Sequence, residues 1–559
     1  MADAGDRDAR AGLRWTGLLA AGWLAAVLLV NPLGNFPLAD DWSFGLAVRT
    51  LLTDHRLRLI SVTQMTLITQ ILWGWLFCLP AGFSFTALRL STLVAGLVGV
   101  GLVFRLARQL GLRPGPAALV AAAIAFNPLY FALSFSFMTD VPFTVLMVAA
   151  ILAFVKAWQD GRSRWFWAGI ALTALATLLR QLGLAVALAA SLAEAIRARR
   201  VRSLAPLAAA LTALLLWAVV LRSGPGLPSA YDGRLQQLFA QIRLGLAPVL
   251  WRVVITIGTG FVYTGLFTLP VQAVLPPASL TAPSRSAARA ARAIALLAGV
   301  VSAATLIARR ATMPLSGNIL TNLTLFPVMM PGAASHPTAP LWVWQLTTAA
   351  GVVGGALLVE RLIIGGVWIA TNGTARHRPD PVVGTFLFGC AAWYMLPLLP
   401  LPAAGFYDRY LLPLIAVMAL LTIWTASGTP APPSRARWLG AGAILAGFAL
   451  FAVPATHDTL ALNRARWQAV HWAMDERGVA PDAIDGGFEV NNWYFFAGGG
   501  RSPLLDQIWI RPAHPQAIVS LAPVAGYRPV RQFPFGRWLP PGRASVALLV
   551  PQVPASDRR

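Results

Sequence analysis

Long apolar stretches recur along this chain, each closed off by a short polar segment rich in arginine. Trp15–Val30, Leu88–Phe104, Val141–Val155 and Leu204–Leu221 reach or approach the roughly 20 residues that a helix needs to cross a bilayer. A single run near the N-terminus could be a signal peptide, but the pattern repeats to about residue 454. It predicts thirteen spans, at about 14–30, 84–107, 115–133, 141–158, 165–179, 182–196, 204–221, 248–270, 293–308, 341–361, 383–399, 411–427 and 438–454. A further apolar stretch, Met65–Leu79, is bracketed by polar positions. It is read as a helix lying at the membrane interface, because counting it as a span would reverse the side of every basic cluster after it.

Beyond residue 454 the pattern changes. Charge returns with Asp475, Glu476, Asp482, Asp485 and Glu489. Asn463–Gly478 has helical spacing, with Trp467, Val470 and Met474 on one side. Gly-, Pro- and aromatic-rich segments follow and predict short strands and turns. The expectation is an all-α polytopic membrane protein, with a transmembrane part over 1–454 and a small α/β extracytoplasmic C-terminal domain over 455–559.

Composition sharpens the membrane reading. Hydrophobic residues make up 57% of the 559 positions and charged ones only 12%, about half the share typical of soluble proteins. The net charge of +23 would suggest nucleic acid in a soluble protein. Here it is almost all arginine, Lys156 being the only lysine, and it gathers in clusters between apolar runs. With the N-terminus inside, Arg105/Arg108/Arg113, Arg162/Arg164, Arg197/Arg199/Arg200/Arg202, Arg285/Arg289/Arg292, Arg376/Arg378 and Arg435/Arg437 all fall inside, as the positive-inside rule asks. Arg309 and Arg310 fall outside against the rule. The loop 31–83 and the C-terminus are then outside. Nucleic acid is not an expected partner; membrane lipid is.

Motifs exclude several chemistries. There is no Walker A loop, no His-Glu-x-x-His and no Gly-x-Ser-x-Gly elbow. Two cysteines far apart, Cys78 and Cys390, and six scattered histidines give no metal-ligand spacing. Carboxylates are scarce, which makes their placement informative. Asp160, Glu194, Glu360 and Asp380 fall inside beside arginines and read as solvated charges or surface pairs. Outside, Asp40 and Asp41 follow the first span in Pro37-Leu38-Ala39-Asp40-Asp41-Trp42. Asp40 could simply cap a helix starting at Asp41. Two adjacent carboxylates repel, however, so one should titrate high unless a cation or substrate compensates, and two such acids could also hold a divalent ion.

Asp140 sits between two apolar segments in Met138-Thr139-Asp140-Val141-Pro142, where a carboxylate is costly and often functional. Arg180 lies between two short spans with no acid near it in sequence. It either snorkels to the interface or grips a lipid phosphate. Tyr407-Asp408-Arg409-Tyr410 is a second charged cluster, its tyrosines equally suited to interface anchoring.

At these residues the chain resembles the GT-C glycosyltransferases, in particular the branch holding protein O-mannosyltransferases and the lipid A aminoarabinose transferase. The resemblance covers about 14–454. It rests on the acidic pair Asp40/Asp41 after the first span, Asp140 in the next outside loop, and Arg49 on the helix that follows the pair. Two further segments, Thr312–Leu320 and Asp408–Pro413, look like segments of bacterial members. The resemblance implies a GT-C-like fold and an inverting transferase, which moves a sugar from a polyprenyl-phosphate donor to an extracytoplasmic lipid, glycan or protein acceptor. It places Asp40, Asp41 and Asp140 in the catalytic pocket, and Arg180, Arg49, Arg409 and Tyr410 toward the donor phosphate. Relatives often carry a Lys-Pro pair late in the first outside loop. This chain has Gln64, Thr66 and Gln70 there, which leaves phosphate handling to arginines and counts against the aminoarabinose branch.

Two other classes fit some of the same residues. A transporter or flippase of lipid-linked saccharide could use the acids as proton or cation sites, but no repeat or Gly-broken helix pair is apparent. A scaffold presenting the C-terminal domain would not call for adjacent carboxylates at the membrane surface.

Overall fold

The computed structural model describes residues 2–198, 201–223, 245–371, 380–400, 406–427, 433–500 and 509–552, with isolated positions between 223 and 245. Arg199, Arg200, Asp232, Arg376 and Arg378 therefore lie outside the described residues. Among the described residues, eleven helices are long and apolar enough to cross a membrane, and a bent pair makes a twelfth. The thirteenth expected segment is α8 below, whose 17 residues span about 26 Å at 1.5 Å per residue, close to the lower limit for a span.

The first part of the chain runs α1 (Ala2–Val30), α2 (Asp41–Asp54), α3 (Ile68–Cys78), α4 (Phe85–Gln109), α5 (Pro114–Ala125), α6 (Pro128–Ser134), α7 (Asp140–Asp160) and α8 (Ser163–Leu179). The stretch expected at the interface is the 11-residue α3, too short to cross. One expectation is corrected: the span placed at 115–133 is not continuous but bends by 64° between α5 and α6. The cause is Asn127-Pro128. The proline cannot continue the preceding helix, and the Asn127 side chain accepts the Leu129 and Tyr130 N–H groups to start a new one. The bend turns the chain so that the loop 135–139 returns beneath α2.

Packing decides which helices lie at the centre. In Leu412–Ala426 nearly every residue is buried, whereas Arg285–Ala308 buries only Ala291, Ala295 and Gly299. Helices Leu246–Val274 and Leu341–Ala370 cross where small residues meet. A Cβ on Gly265 would stand 2.2 Å from the Gly355 nitrogen, so only glycine permits this approach.

Of the four acids expected inside, Asp160 is exposed as expected, whereas Glu194 and Glu360 are paired but less solvated than expected. Glu194 is fully buried, accepting from Trp158 Nε1 and Arg202 Nε, each at 2.8 Å. Glu360 is also buried, 3.4 Å from Arg292. Asp380 caps its helix by accepting the Val382 N–H.

The last span and the start of the C-terminal part are one helix, Arg435–Asp475, 41 residues long with Pro454 inside it. The boundary drawn at 454 falls within this rod. Trp467 and Val470 are buried along it. The four-stranded sheet beyond has the order β1-β2-β4-β3, from β1 (Ile484–Asp485), β2 (Ala517–Ser520), β3 (Tyr527–Trp538) and β4 (Pro541–Pro551). The β1–β2 pair is parallel and the other two are antiparallel. Between β1 and β2 stands the helix Phe488–Ala497, in a region expected to hold only strands and turns.

Candidate active site

Three loops meet above the bundle. They hold Asp40 and Asp41, Asp140, and Asp408–Tyr410. Two buried polar side chains, one a donor and one an acceptor, tie the first two loops together. Arg89, near the start of α4, donates to the carbonyls of Pro32, Gly34, Phe36 and Phe135, all at 2.8 Å. Asp41 does the reverse: its carboxylate accepts the Leu38 N–H at 2.6 Å and the Phe137 N–H at 3.1 Å. Burial pushes the Asp41 carboxyl up to about 8, against the pull of those two hydrogen bonds and of Arg89.

The acidic pair therefore does not act as a pair. Asp41 is 2% exposed and occupied with backbone, while the Asp40 side chain is 37% exposed and bonds Arg409 Nη2 through Oδ2 at 3.0 Å. Compensation comes from Arg409 for one acid and from N–H groups and Arg89 for the other. Asp40 stands at the N-cap position of α2 but makes no capping hydrogen bond. Among the described residues no group of three His, Cys, Asp or Glu is placed to hold a metal ion.

The residue before Asp40 is under strain. Ala39 has φ +52°, a left-handed conformation that costs an L-residue roughly 1–2 kcal/mol. Glu489, from the helix Phe488–Ala497, accepts the Ala39 N–H at 3.3 Å.

Arg180 gains from the fold the acid that it lacks in sequence. Its Nη2 lies 2.9 Å from Asp140 Oδ1, with side-chain exposures of 3% and 0%. The contact is a close ion pair without hydrogen-bond alignment: among the described residues, neither Asp140 oxygen and neither Arg180 terminal nitrogen has a hydrogen-bond partner. Asp140 opens α7 and caps nothing; its N-cap is Thr139, which makes no side-chain cap either. Arg180 is the C-terminal cap residue of α8, in extended backbone, which points it away from the helix and into the bundle.

Tyr410 joins the two ion pairs. The guanidinium carbons of Arg180 and Arg409 each lie 5.5 Å from the centre of its ring, within cation–π range. Phe143 and Tyr407 flank the outer sides, 5.9 Å from Arg180 and 5.1 Å from Arg409. The backbone of this segment is fixed by Asp408, fully buried, which accepts the N–H groups of Ile319, Leu320 and Arg409. The two segments singled out for resemblance, 312–320 and 408–413, are thus one structural unit.

Asp40, Asp41, Asp140, Arg180, Arg409 and Tyr410 are brought together. Arg49 is not: it is exposed, 5.8 Å from the Trp493 ring, and belongs to the contact between α2 and the helix Phe488–Ala497. Trp42 stacks on Phe496 in the same contact, with ring centres 5.1 Å apart. The residues in place of the Lys-Pro pair are used for packing. Thr66 Oγ1 donates to the Thr177 carbonyl and Gln70 Nε2 to the Phe137 carbonyl, while the Gln64 carbonyl accepts from Gln181. Arg89 and Glu489 escaped the sequence reading. Arg89 had a signal, an arginine inside the apolar run Leu88–Phe104; Glu489 had none.

Between α3, α8 and the helix Ala205–Ser223 lies an apolar groove of about 490 Å³, lined by Leu57, Ile68, Leu178 and Trp217 among others. Leu178 sets one end of it two residues from Arg180.

Residues 70–222 match the sequence profile of the dolichyl-phosphate-mannose-protein mannosyltransferase family. No curated protein matches the chain in sequence. Among solved structures, the chain is similar to ArnT from Cupriavidus metallidurans bound to undecaprenyl phosphate, at 14% identity, TM-score 0.41, over 96% of this chain and 98% of that one. It is similar to the arabinosyltransferase EmbB from Mycobacterium smegmatis at 16% identity, TM-score 0.33, over 93% and 45%. The S. cerevisiae Pmt1-Pmt2 complex bound to the sugar donor gives 18% identity, TM-score 0.31, over 37% and 33%. These structural likenesses are distant; the matched segment, which contains both Asp140 and Arg180, carries the assignment. Over residues 70–222 the chain is similar in sequence to the dolichyl-phosphate-mannose-protein mannosyltransferases.

Proposed function

We propose that this enzyme transfers a sugar, with inversion, from a polyprenyl-phosphate donor to an extracytoplasmic lipid, glycan or protein acceptor. The observation that carries the proposal is the double ion pair about Tyr410. A buried guanidinium whose terminal nitrogens have no hydrogen-bond partner among the described residues is costly to keep and suits a phosphate, which two parallel N–H groups can grip. The family description, with its dolichyl-phosphate donor, supports the same class of substrate.

The roles divide by exposure. Asp40 is the one acid of the cluster open enough to meet an acceptor. Its carboxylate takes the proton of the acceptor hydroxyl as that oxygen bonds to the anomeric carbon. The bond from that carbon to the phosphate oxygen breaks, and its electron pair leaves with the polyprenyl phosphate. Arg180 and Arg409 stabilise the charge that grows there. Asp140 is closed off and orients Arg180; Asp41 holds the two loops in register. The apolar groove lined by Leu178, two residues from Arg180 in sequence, offers an apolar seat for a lipid tail. The active site faces away from the cytoplasm at the cell membrane, a sidedness supported by the arginine clusters.

Purified protein incubated with polyprenyl-phosphate sugars tests the reading, with mass spectrometry following released polyprenyl phosphate and glycosylated product. Asp40→Asn should lose about 10²–10⁴-fold in kcat, the usual worth of a positioned base, while folding normally. Full transfer by that variant would refute the role of Asp40. No transfer by the wild type, with vectorial movement of the lipid instead, would favour a flippase.

A further inference from the structure

We propose that Glu489, contributed by the C-terminal domain, is a positioning residue for Asp40; the proposal rests on the transferase reading above. Three observations converge on it. Ala39 is held at φ +52°, a conformation an alanine does not adopt unaided. Its buried N–H has the Glu489 carboxylate, 450 residues away, as its acceptor. Glu489 is itself fixed from the other side by Arg466 on the long helix, at 2.7 Å, with both side chains under 5% exposed.

Arg466 in turn donates to the Gly486 carbonyl and to Asn463. The carboxylate is thus set in a rigid mount before it reaches Ala39. The mount is seated on the first loop by aromatic contacts, Trp42 against Phe488 and Phe496, and Trp493 against Phe83 and Phe85. The helix carrying Glu489 is tied at its start to Met329, which accepts the Phe488 N–H at 2.9 Å.

The direction of Asp40 depends on the peptide before it. Without an acceptor, the Ala39 N–H is buried and unpaired, and the left-handed turn keeps only the bonds between Leu38 and Asp41. The turn then relaxes toward ordinary backbone and swings Asp40 off Arg409. The C-terminal domain, on this argument, completes the site without touching substrate.

The test compares two substitutions of similar volume, Glu489→Gln and Glu489→Met. Both remove the counter-charge of Arg466, but only glutamine keeps an acceptor oxygen for Ala39. Their difference reads the acceptor oxygen, which serves Ala39 and Arg466, and the Ala39 rescue below assigns the share that belongs to Ala39. The methionine variant should fall at least tenfold below the glutamine variant in kcat, with donor KM within about threefold. Adding Ala39→Gly, which takes φ +52° without strain, should recover most of the loss. Hydrogen exchange gives a readout independent of turnover: the Ala39 amide should lose protection in Glu489→Met, while the Leu38 and Phe137 amides, both held by Asp41, keep theirs. Equal kcat and equal exchange for the two variants would overturn the proposal. Should neither fold, Ala39→Val, which worsens the strain from the other end, must lower kcat for the proposal to stand. A wild type that transfers no sugar but shows the exchange pattern would sink the transferase reading and leave Glu489 as the clamp on this loop.

Discussion

Arg180→Lys separates a phosphate grip from a mere countercharge. The variant keeps a cation opposite Asp140, 2.9 Å away in the wild type, and keeps it near the Tyr410 ring, so the buried pair and the fold should survive. It loses the planar fork. Arginine can offer the leaving phosphate two parallel N–H bonds and lysine one point charge. Loss of one charge-assisted hydrogen bond is worth about 1.5–3 kcal/mol, and each 1.36 kcal/mol is tenfold in rate, so kcat should fall roughly 10- to 150-fold. Charge on the phosphate grows toward the transition state, so the loss belongs in kcat more than in acceptor KM. Initial rates of polyprenyl phosphate release, with thermal unfolding of the same preparations, measure both quantities. Wild-type kcat at wild-type stability would remove Arg180 from the site. The companion variant Asp140→Leu/Arg180→Met replaces the whole pair with apolar groups, a change that is often neutral or stabilising for a buried pair. It should fold and be inactive; turnover by it would refute the same reasoning from the other side.

Two further outcomes follow from other parts of the structure. The Asp41 carboxyl is raised to about 8 in the fold from about 3.9 in the unfolded chain. Its contribution to stability is therefore full below about pH 4 and is lost as pH rises to about 8. Thermal unfolding across that range should show a downward slope that Asp41→Asn flattens, and identical slopes would contradict the raised carboxyl. For sidedness, Arg477 and Arg285 are both exposed, and the native Cys78 and Cys390 are buried and give little background. A membrane-impermeant maleimide should label Arg477→Cys on intact cells and leave Arg285→Cys unlabelled; the reverse pattern would invert the topology.

The sequence reveals most of what hydrophobicity controls. Apolar runs mark each transmembrane segment, and the acids and arginines that interrupt them mark the loops. It reveals less where one side chain serves the backbone of a distant loop. That Asp41 bonds Phe137 while Asp40 turns to Arg409 is a matter of direction, which two adjacent identical letters cannot express. Arg180 looked unpartnered because its acid is 40 positions back, brought near by the return of one helix on the next. The bend at Asn127-Pro128 was written in a dipeptide that favours turn initiation, but the apolar run around it masked the break. Glu489 had no local signature at all, because its function lies in a contact with Ala39.

The 41-residue helix Arg435–Asp475 makes bilayer thickness part of the enzyme's geometry. At 1.5 Å per residue it is a rod of about 62 Å, twice the hydrocarbon core. Arg466, which mounts Glu489, stands 31 residues along it, about 46 Å from its start. Helices meet a thinner or thicker bilayer partly by tilting, and a tilt of about 5° about that start would carry Arg466 through about 4 Å. That is more than the 3.3 Å between Glu489 and the Ala39 nitrogen. Were the Ala39 loop to stay in place while the rod tilted, a lever of this length would couple the lipid composition of the membrane to the alignment of a carboxylate at its surface.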